Sequence, residues 1–150
     1  GLARRTYNAR SETAADKPSF HDAWRRGRHC IVPVEAFFEP DWRSGRAVPT
    51  RISGADGQPL GLAGLWSAWT SPRGEVVHSF TMLTINADAH PLMKHFHKPG
   101  EEKRMVVVLP PSQYQDWLQA RPQDSMDFLR PFPAEALRAE APPSPSLFDL

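Results

Sequence analysis

The chain is built from short apolar runs and alternating stretches, broken often by proline and glycine. From His29 to Phe38 almost every residue is apolar, β-branched or aromatic, which predicts a strand entering the core and ending at Glu39, with Glu35 inside it. Val48 to Ile52 predicts a second strand, and Asp56-Gly57 favours a tight hairpin turn. Leu60 to Trp66 is an apolar strand whose Gly61 and Gly64 point to close backbone approach or a bulge. Val76 to Asn86 is the longest strand, with Phe80, Met82 and Thr84 on one face and Ser79, Thr81, Leu83 and Ile85 on the other. Met105 to Leu109 reads as a buried strand. Helical spacing is confined to Ser19–Gly27, capped by Ser19, and to Ser112–Ala120, capped by Ser112, plus a single turn around Leu92–Phe96. As a strand, the stretch from Asn8 would put Asn8, Arg10 and Glu12 on one face.

A chain of 150 residues suits one domain with its own core, and five Trp and eight Phe supply large surfaces for it. The 16 prolines favour short strands and many loops. No apolar run is long enough to span a membrane, and no signal peptide opens the chain. A single cysteine excludes an internal disulfide and fits a cytoplasmic setting; Cys30 lies in an apolar strand, where a buried, inert thiol is expected. Net charge is near zero but uneven: residues 1–51 carry ten Arg and Lys against six Asp and Glu. A basic first third suits an anionic partner such as nucleic acid, or a solvated basic face.

Two stretches carry candidate chemistry. A glutamate beside Phe37 and Phe38 loses water, which raises its pKa and suits Glu39 to proton transfer; at a strand end it could equally face solvent. His90, His95 and His97 cluster after the long strand. Zinc is one reading, but the spacing matches no standard ligand pattern; an imidazole near a buried carboxylate could instead act as acid or base. Arg25, Arg26 and Arg28 close the first helix, where cations suit its dipole and could meet phosphates. Beyond Glu140 a Pro-rich stretch reads as a flexible tail, giving a domain over 1–139 and a tail over 140–150.

Taken in order, Asn8-Ala-Arg-Ser-Glu-Thr13, the Arg28–Glu39 stretch, Phe80–Asn86 and His97 through Arg104 to Leu109 resemble the SRAP family of SOS-response-associated peptidases, or abasic-site processing proteins. The resemblance covers residues 6 to about 120. It implies a single mixed α/β domain with a barrel-like, largely antiparallel β core and a few short flanking helices. It also implies a covalent link to abasic sites in single-stranded DNA, in which an N-terminal cysteine gives a Schiff base and then a thiazolidine, with autoproteolytic processing of the N-terminus. No cofactor is implied. By motif match, Asn8 orients the N-terminal residue, Arg10 holds a phosphate, Glu39 shuttles protons, and His97 assists ring opening and Schiff-base chemistry. Thr84 matches a polar strand position near the site. Arg28, Trp42 and Arg104 join Arg10 and Thr84 as expected DNA contacts, and the setting implied is the bacterial nucleoid.

The sequence departs from the family pattern in four places. The N-terminal cysteine segment is absent, so the chain as given is expected to be a fragment that forms no thiazolidine. Pro40 follows Glu39 where an aromatic residue is usual, with Trp42 two further on. Glu35-Ala36 replaces Asp-Gly. Lys98–Lys103 separates His97 from Arg104. Two other functions fit the residues: a single-stranded-DNA-binding module without chemistry, and a metal-dependent hydrolase built on the histidines. Ser146-Leu-Phe-Asp-Leu150 resembles peptides that dock on the bacterial replication sliding clamp, though it lacks their leading glutamine.

Overall fold

A computed structural model describes residues 7–142. The expected tail and its clamp-like Ser146–Leu150 end lie outside these residues, except that β9 (Leu137–Glu140) extends to Glu140, which pairs with Arg51. The fold is mixed α/β, mostly antiparallel, with few and short helices, as the sequence predicts. Among the described residues the strands form two open sheets rather than a closed barrel.

The larger sheet has six strands in which β1 (Asn8–Arg10), β6 (Val76–Asn86), β5 (Leu60–Thr70) and β2 (His29–Val34) lie side by side. β5 and β6 form a long hairpin over residues 64–70 and 76–82, closed by a turn in which Gly74 takes a φ of 83°. Below Gly64 and Met82 the hairpin arms splay apart. Into the gap runs residues 104–109, a pair of short strands rather than one: β7 (Arg104–Val106) pairs with β6, and β8 (Val108–Leu109) pairs with β5. Val107 stitches both arms, its N–H donating to Leu83 and its carbonyl accepting from Ala63. Among the described residues β1 and β6 are the one strand pair that runs parallel, in register Asn8 to Met82 and Arg10 to Thr84.

The apolar run read as one strand over residues 29–39 is two strands in different sheets. The chain bends at Glu35, leaves β5 after Val34, and enters the smaller sheet as β3 (Ala36–Asp41), beside β4 (Val48–Gly54) and then β9. An unbroken apolar pattern cannot distinguish a straight strand from one that changes partners at a corner.

Alternation along β6 sets the core. Leu83 and Ile85 point inward with Ala9, Leu65 and Met105, all buried, and α2 (Tyr114–Gln119) adds Trp117, fully buried beneath β2. Each such large side chain contributes about 1.5–3 kcal/mol by leaving water. Trp117 Nε1 also donates to the Cys30 carbonyl at 2.8 Å, satisfying its one polar atom. Gly61 and Gly64 are where the sequence signals close approach: a Cβ at Gly61 would lie 2.6 Å from the Tyr114 ring, and one at Gly64 2.7 Å from the Thr81 carbonyl. The first helix is shorter than expected, α1 (His21–Arg25). Neither it nor α2 has a side-chain cap, so Ser19 and Ser112 do not play that role.

Candidate active site

Register pairing fixes which side chains share the face opposite the core. Asn8 sits beside Met82, Arg10 beside Thr84, and Arg104 beside Asn86 on the far edge of β6. Since alternate residues of β6 share a face, Asn8, Arg10, Thr84 and Arg104 lie together. Glu12 is not on this strand, because β1 ends at Arg10; it sits in the turn that follows. It reaches the same cluster from there.

Arg104 is the hub. Its terminal nitrogens donate to both Glu12 carboxylate oxygens, at 3.0 and 2.9 Å. They also reach Glu102 at 3.0 Å, the Thr84 carbonyl at 2.8 Å and the Thr84 hydroxyl at 3.1 Å. Hydrogen bonds from Arg104 hold the Glu12 carboxyl below the usual carboxylate range. Arg10 contacts Glu102, whose other oxygen accepts from Asn86. Hydrogen bonds from Asn86 and then Arg10 hold the Glu102 carboxyl down at about 2. Neither Glu12 nor Glu102 was assigned a role from sequence. Glu12 lies inside the Asn-Ala-Arg-Ser-Glu motif, but its partner is 92 residues away and no local pattern announces it.

Glu39 reaches the site from the other sheet. On β3, Phe37, Glu39 and Asp41 alternate with Phe38, and Phe38 points out, 66% exposed. The expected shelter from both phenylalanines therefore comes from Phe37's side of the strand alone. It suffices: burial pushes the Glu39 carboxyl above its ordinary range, with His97 pulling it partly back.

His97 stands 3.8 Å from Glu39, measured from Nε2 to Oε2, with both side chains mostly covered. Phe96, fully buried, anchors the segment, and Phe96 and Asp41 form an isolated β-bridge. The His97 N–H donates to the Pro40 carbonyl at 3.2 Å. His97 has a φ of 76°, the one left-handed non-glycine among the described residues, a costly conformation that surrounding contacts must impose. Its Nε2 lies 2.7 Å from the Arg104 main-chain oxygen. A carbonyl only accepts, so Nε2 carries the proton, and in the neutral ring Nδ1 keeps the lone pair.

Glu39 and His97 thus meet, while Asn8, Arg10 and Thr84 gather on the neighbouring sheet face, with Arg104 joining the two groups. Asn8 is hydrogen-bonded to neither Glu39 nor His97. Most donors of Arg104 are spent inside the protein. Arg28 lies farther along the sheet, its guanidinium 4.7 Å over the Trp66 ring, in the row that Trp66 shares with Phe80. Trp42 is half-buried in the turn after β3, its carbonyl accepting from Gly45. The Lys98–Lys103 loop leaves Arg104 in its strand, and Lys103 Nζ caps the carbonyls of His97 and Lys98. His90 uses both ring nitrogens structurally: Nδ1 accepts from Leu92 and Met93, and Nε2 donates to the Phe132 carbonyl at 2.6 Å, leaving no lone pair for a metal. Among the described residues no three His, Cys, Asp or Glu side chains converge. Burial pushes the Cys30 thiol up to about 11, which keeps it protonated.

Asn8 and Arg10 on the larger sheet, Glu39 on the smaller one and His97 on the loop between them and Arg104 thus form one candidate site in a mixed, mostly antiparallel fold. The chain belongs to the SOS response associated peptidase (SRAP) family, whose model matches residues 2–142. It is 30% identical over 138 residues to the abasic site processing protein YoqW of Bacillus subtilis, covering 88% of this chain and 57% of that one. To the abasic site processing protein YedK of Escherichia coli it is 32% identical over 111 residues, covering 74% and 46%. A crystal structure of a protein from Bordetella bronchiseptica superposes with a TM-score of 0.88 at 55% identity, covering 91% of this chain and 65% of that one. The chain thus spans roughly half to two-thirds of these three relatives. Within the described residues no helix is long and apolar enough to cross a membrane.

Proposed function

We propose that this protein processes abasic sites in single-stranded DNA by forming a covalent crosslink through an N-terminal cysteine of the full-length protein. The observation that carries this reading is the desolvated Glu39 carboxyl 3.8 Å from His97. It is supported by the shared face of Asn8, Arg10 and Thr84 and by the names of the relatives.

The chemistry needs an amine, a thiol and a proton shuttle. The cysteine amine adds to the aldehyde of the ring-opened sugar, water leaves to give a Schiff base, and the thiolate adds to the imine carbon as its nitrogen takes up a proton. Amine and thiol on one residue act at high effective concentration, so ring closure follows readily. A carboxyl with a raised pKa supplies the proton that the departing hydroxyl needs and takes one back as the ring closes. His97 Nδ1 assists opening of the sugar. Asn8 orients the cysteine, and Arg10, with much of its guanidinium exposed, holds a phosphate. Trp66 and Phe80, with Arg28 between protein and solvent, offer flat faces to neighbouring bases. The same site would release the N-terminal residue ahead of the cysteine, the peptidase activity of an SOS-response protein acting at the nucleoid.

Incubating the full-length protein with abasic single-stranded DNA and resolving the products under denaturing conditions tests this. A heat-stable adduct lost in Glu39→Gln is expected; DNA left unlinked overturns it. Equal affinity for intact and abasic strands, with no effect of Glu39→Gln, would make the protein a binding module instead. Clamp docking by Ser146–Leu150 is tested by deleting residues 144–150, and unchanged clamp binding removes it.

A further inference from the structure

We propose that Glu12, acting through Arg104, is a positioning residue for His97. The inference rests on the acid–base reading of His97 above, but its geometric part stands without it. The path is continuous. Glu12 binds Arg104 through two parallel hydrogen bonds, a geometry that fixes the plane of the guanidinium. Arg104 is pinned again by the backbone and hydroxyl of Thr84, and its side chain is only 12% exposed. The main-chain oxygen of that same residue receives the His97 Nε2 proton. The position of that oxygen decides which His97 nitrogen keeps a lone pair; it is set where residue 104 pairs with Asn86 at the start of β7, an edge that the anchored Arg104 side chain braces.

Glu12 is the part of this chain that can fail without loss of the core. Its side chain is 46% exposed, and it sits on a turn. Removing its charge leaves a nearly buried guanidinium with Glu102 as its single carboxylate partner and with an Nε that has none. The groups that face His97 directly are Glu39 from β3 and, on its own loop, Lys103 at its carbonyl; neither replaces the Arg104 oxygen.

The test compares wild type with Glu12→Gln and Glu12→Asp. Nitrogen NMR of the imidazoles is expected to show His97 protonated at Nε2 in wild type. In Glu12→Gln that signal gives way to a mixture of tautomers, and Glu12→Asp, which keeps the charge, largely restores it. In the full-length protein the crosslinking rate at saturating abasic DNA should fall about tenfold in Glu12→Gln, with no weakening of DNA binding. A folded Glu12→Gln protein with the wild-type tautomer and rate overturns the proposal. Should Glu12→Gln not fold, Glu12→Ala carries the test through the same two readouts, and a folded Glu12→Ala protein with the wild-type tautomer and rate overturns the proposal equally. If wild type forms no crosslink while the tautomer still changes in Glu12→Gln, the proposed function fails and the positioning role survives.

Discussion

His97 donates from Nε2 to the main-chain oxygen of Arg104, seven residues further on, across 2.7 Å. The same nitrogen stands 3.8 Å from Glu39, beyond hydrogen-bonding reach. The imidazole is held to the protein by one nitrogen, and the proposed chemistry uses the carboxyl beside it.

Glu39 should cost stability. Its folded-state pKa is raised, so its favourable form is the protonated one, fully present below the unfolded value and lost as pH rises through the raised one. At neutral pH, Glu39→Gln is therefore expected to abolish crosslinking and to raise Tm by a few degrees, about 1 kcal/mol. Thermal unfolding at pH 7 checks this; a lower Tm would mean the ionised carboxylate is stabilised by partners after all.

The left-handed backbone at His97 should be measurable. His97→Gly and His97→Ala both remove the imidazole, but alanine keeps the steric penalty at a φ of 76°. Glycine is expected to be the more stable by about 1 kcal/mol. Equal denaturation midpoints would show that position 97 carries no strain.

Gly61 and Gly64 should differ in tolerance. A Cβ at Gly61 meets the far end of the Tyr114 side chain, which can move, whereas one at Gly64 meets the Thr81 carbonyl, part of the β5–β6 hairpin. Gly64→Ala is expected to cost about 1–3 kcal/mol and Gly61→Ala less. Urea denaturation of the two variants orders them.

His29 should make the fold sensitive to acid. It is buried, stacked on Trp117 at 4.0 Å, with Nε2 2.7 Å from the Ser125 hydroxyl and Nδ1 unpartnered. Burial lowers its pKa from the usual value of about 6.5. Both states are neutral above that value, so stability is full there. It falls as pH drops below 6.5 toward the lowered folded-state value, because the unfolded chain takes the proton first. His29→Leu should flatten this slope in wild-type-minus-variant stability between pH 7 and 5; parallel curves would contradict it.

How much of this was legible depended on range. The faces of β6 followed from alternation, and the two glycines of β5 announced their close contacts because only a missing Cβ allows them. The break at Glu35 was invisible, since both halves of the run are apolar and the choice of partner strand is made by the rest of the fold. Ser19 looked like a cap, but the helix starts two residues later, at His21, with Phe20 in the cap position. Of the candidate site, Asn8, Arg10, Glu39 and His97 were named by the family pattern, which does not say how the fold holds them. The Glu12–Arg104 pair was not, because its two halves lie in segments joined only when residues 104–109 slip between the arms of the hairpin.

Because Glu39 belongs to the small sheet and Asn8 to the large one, the candidate site is a seam. His97 is sewn to one side through Pro40 and to the other through Arg104. Loosening the small sheet far from the seam, such as at the Ile52–Ala139 pairing, would widen it and slow the proposed crosslinking while leaving the proposed grip on DNA intact.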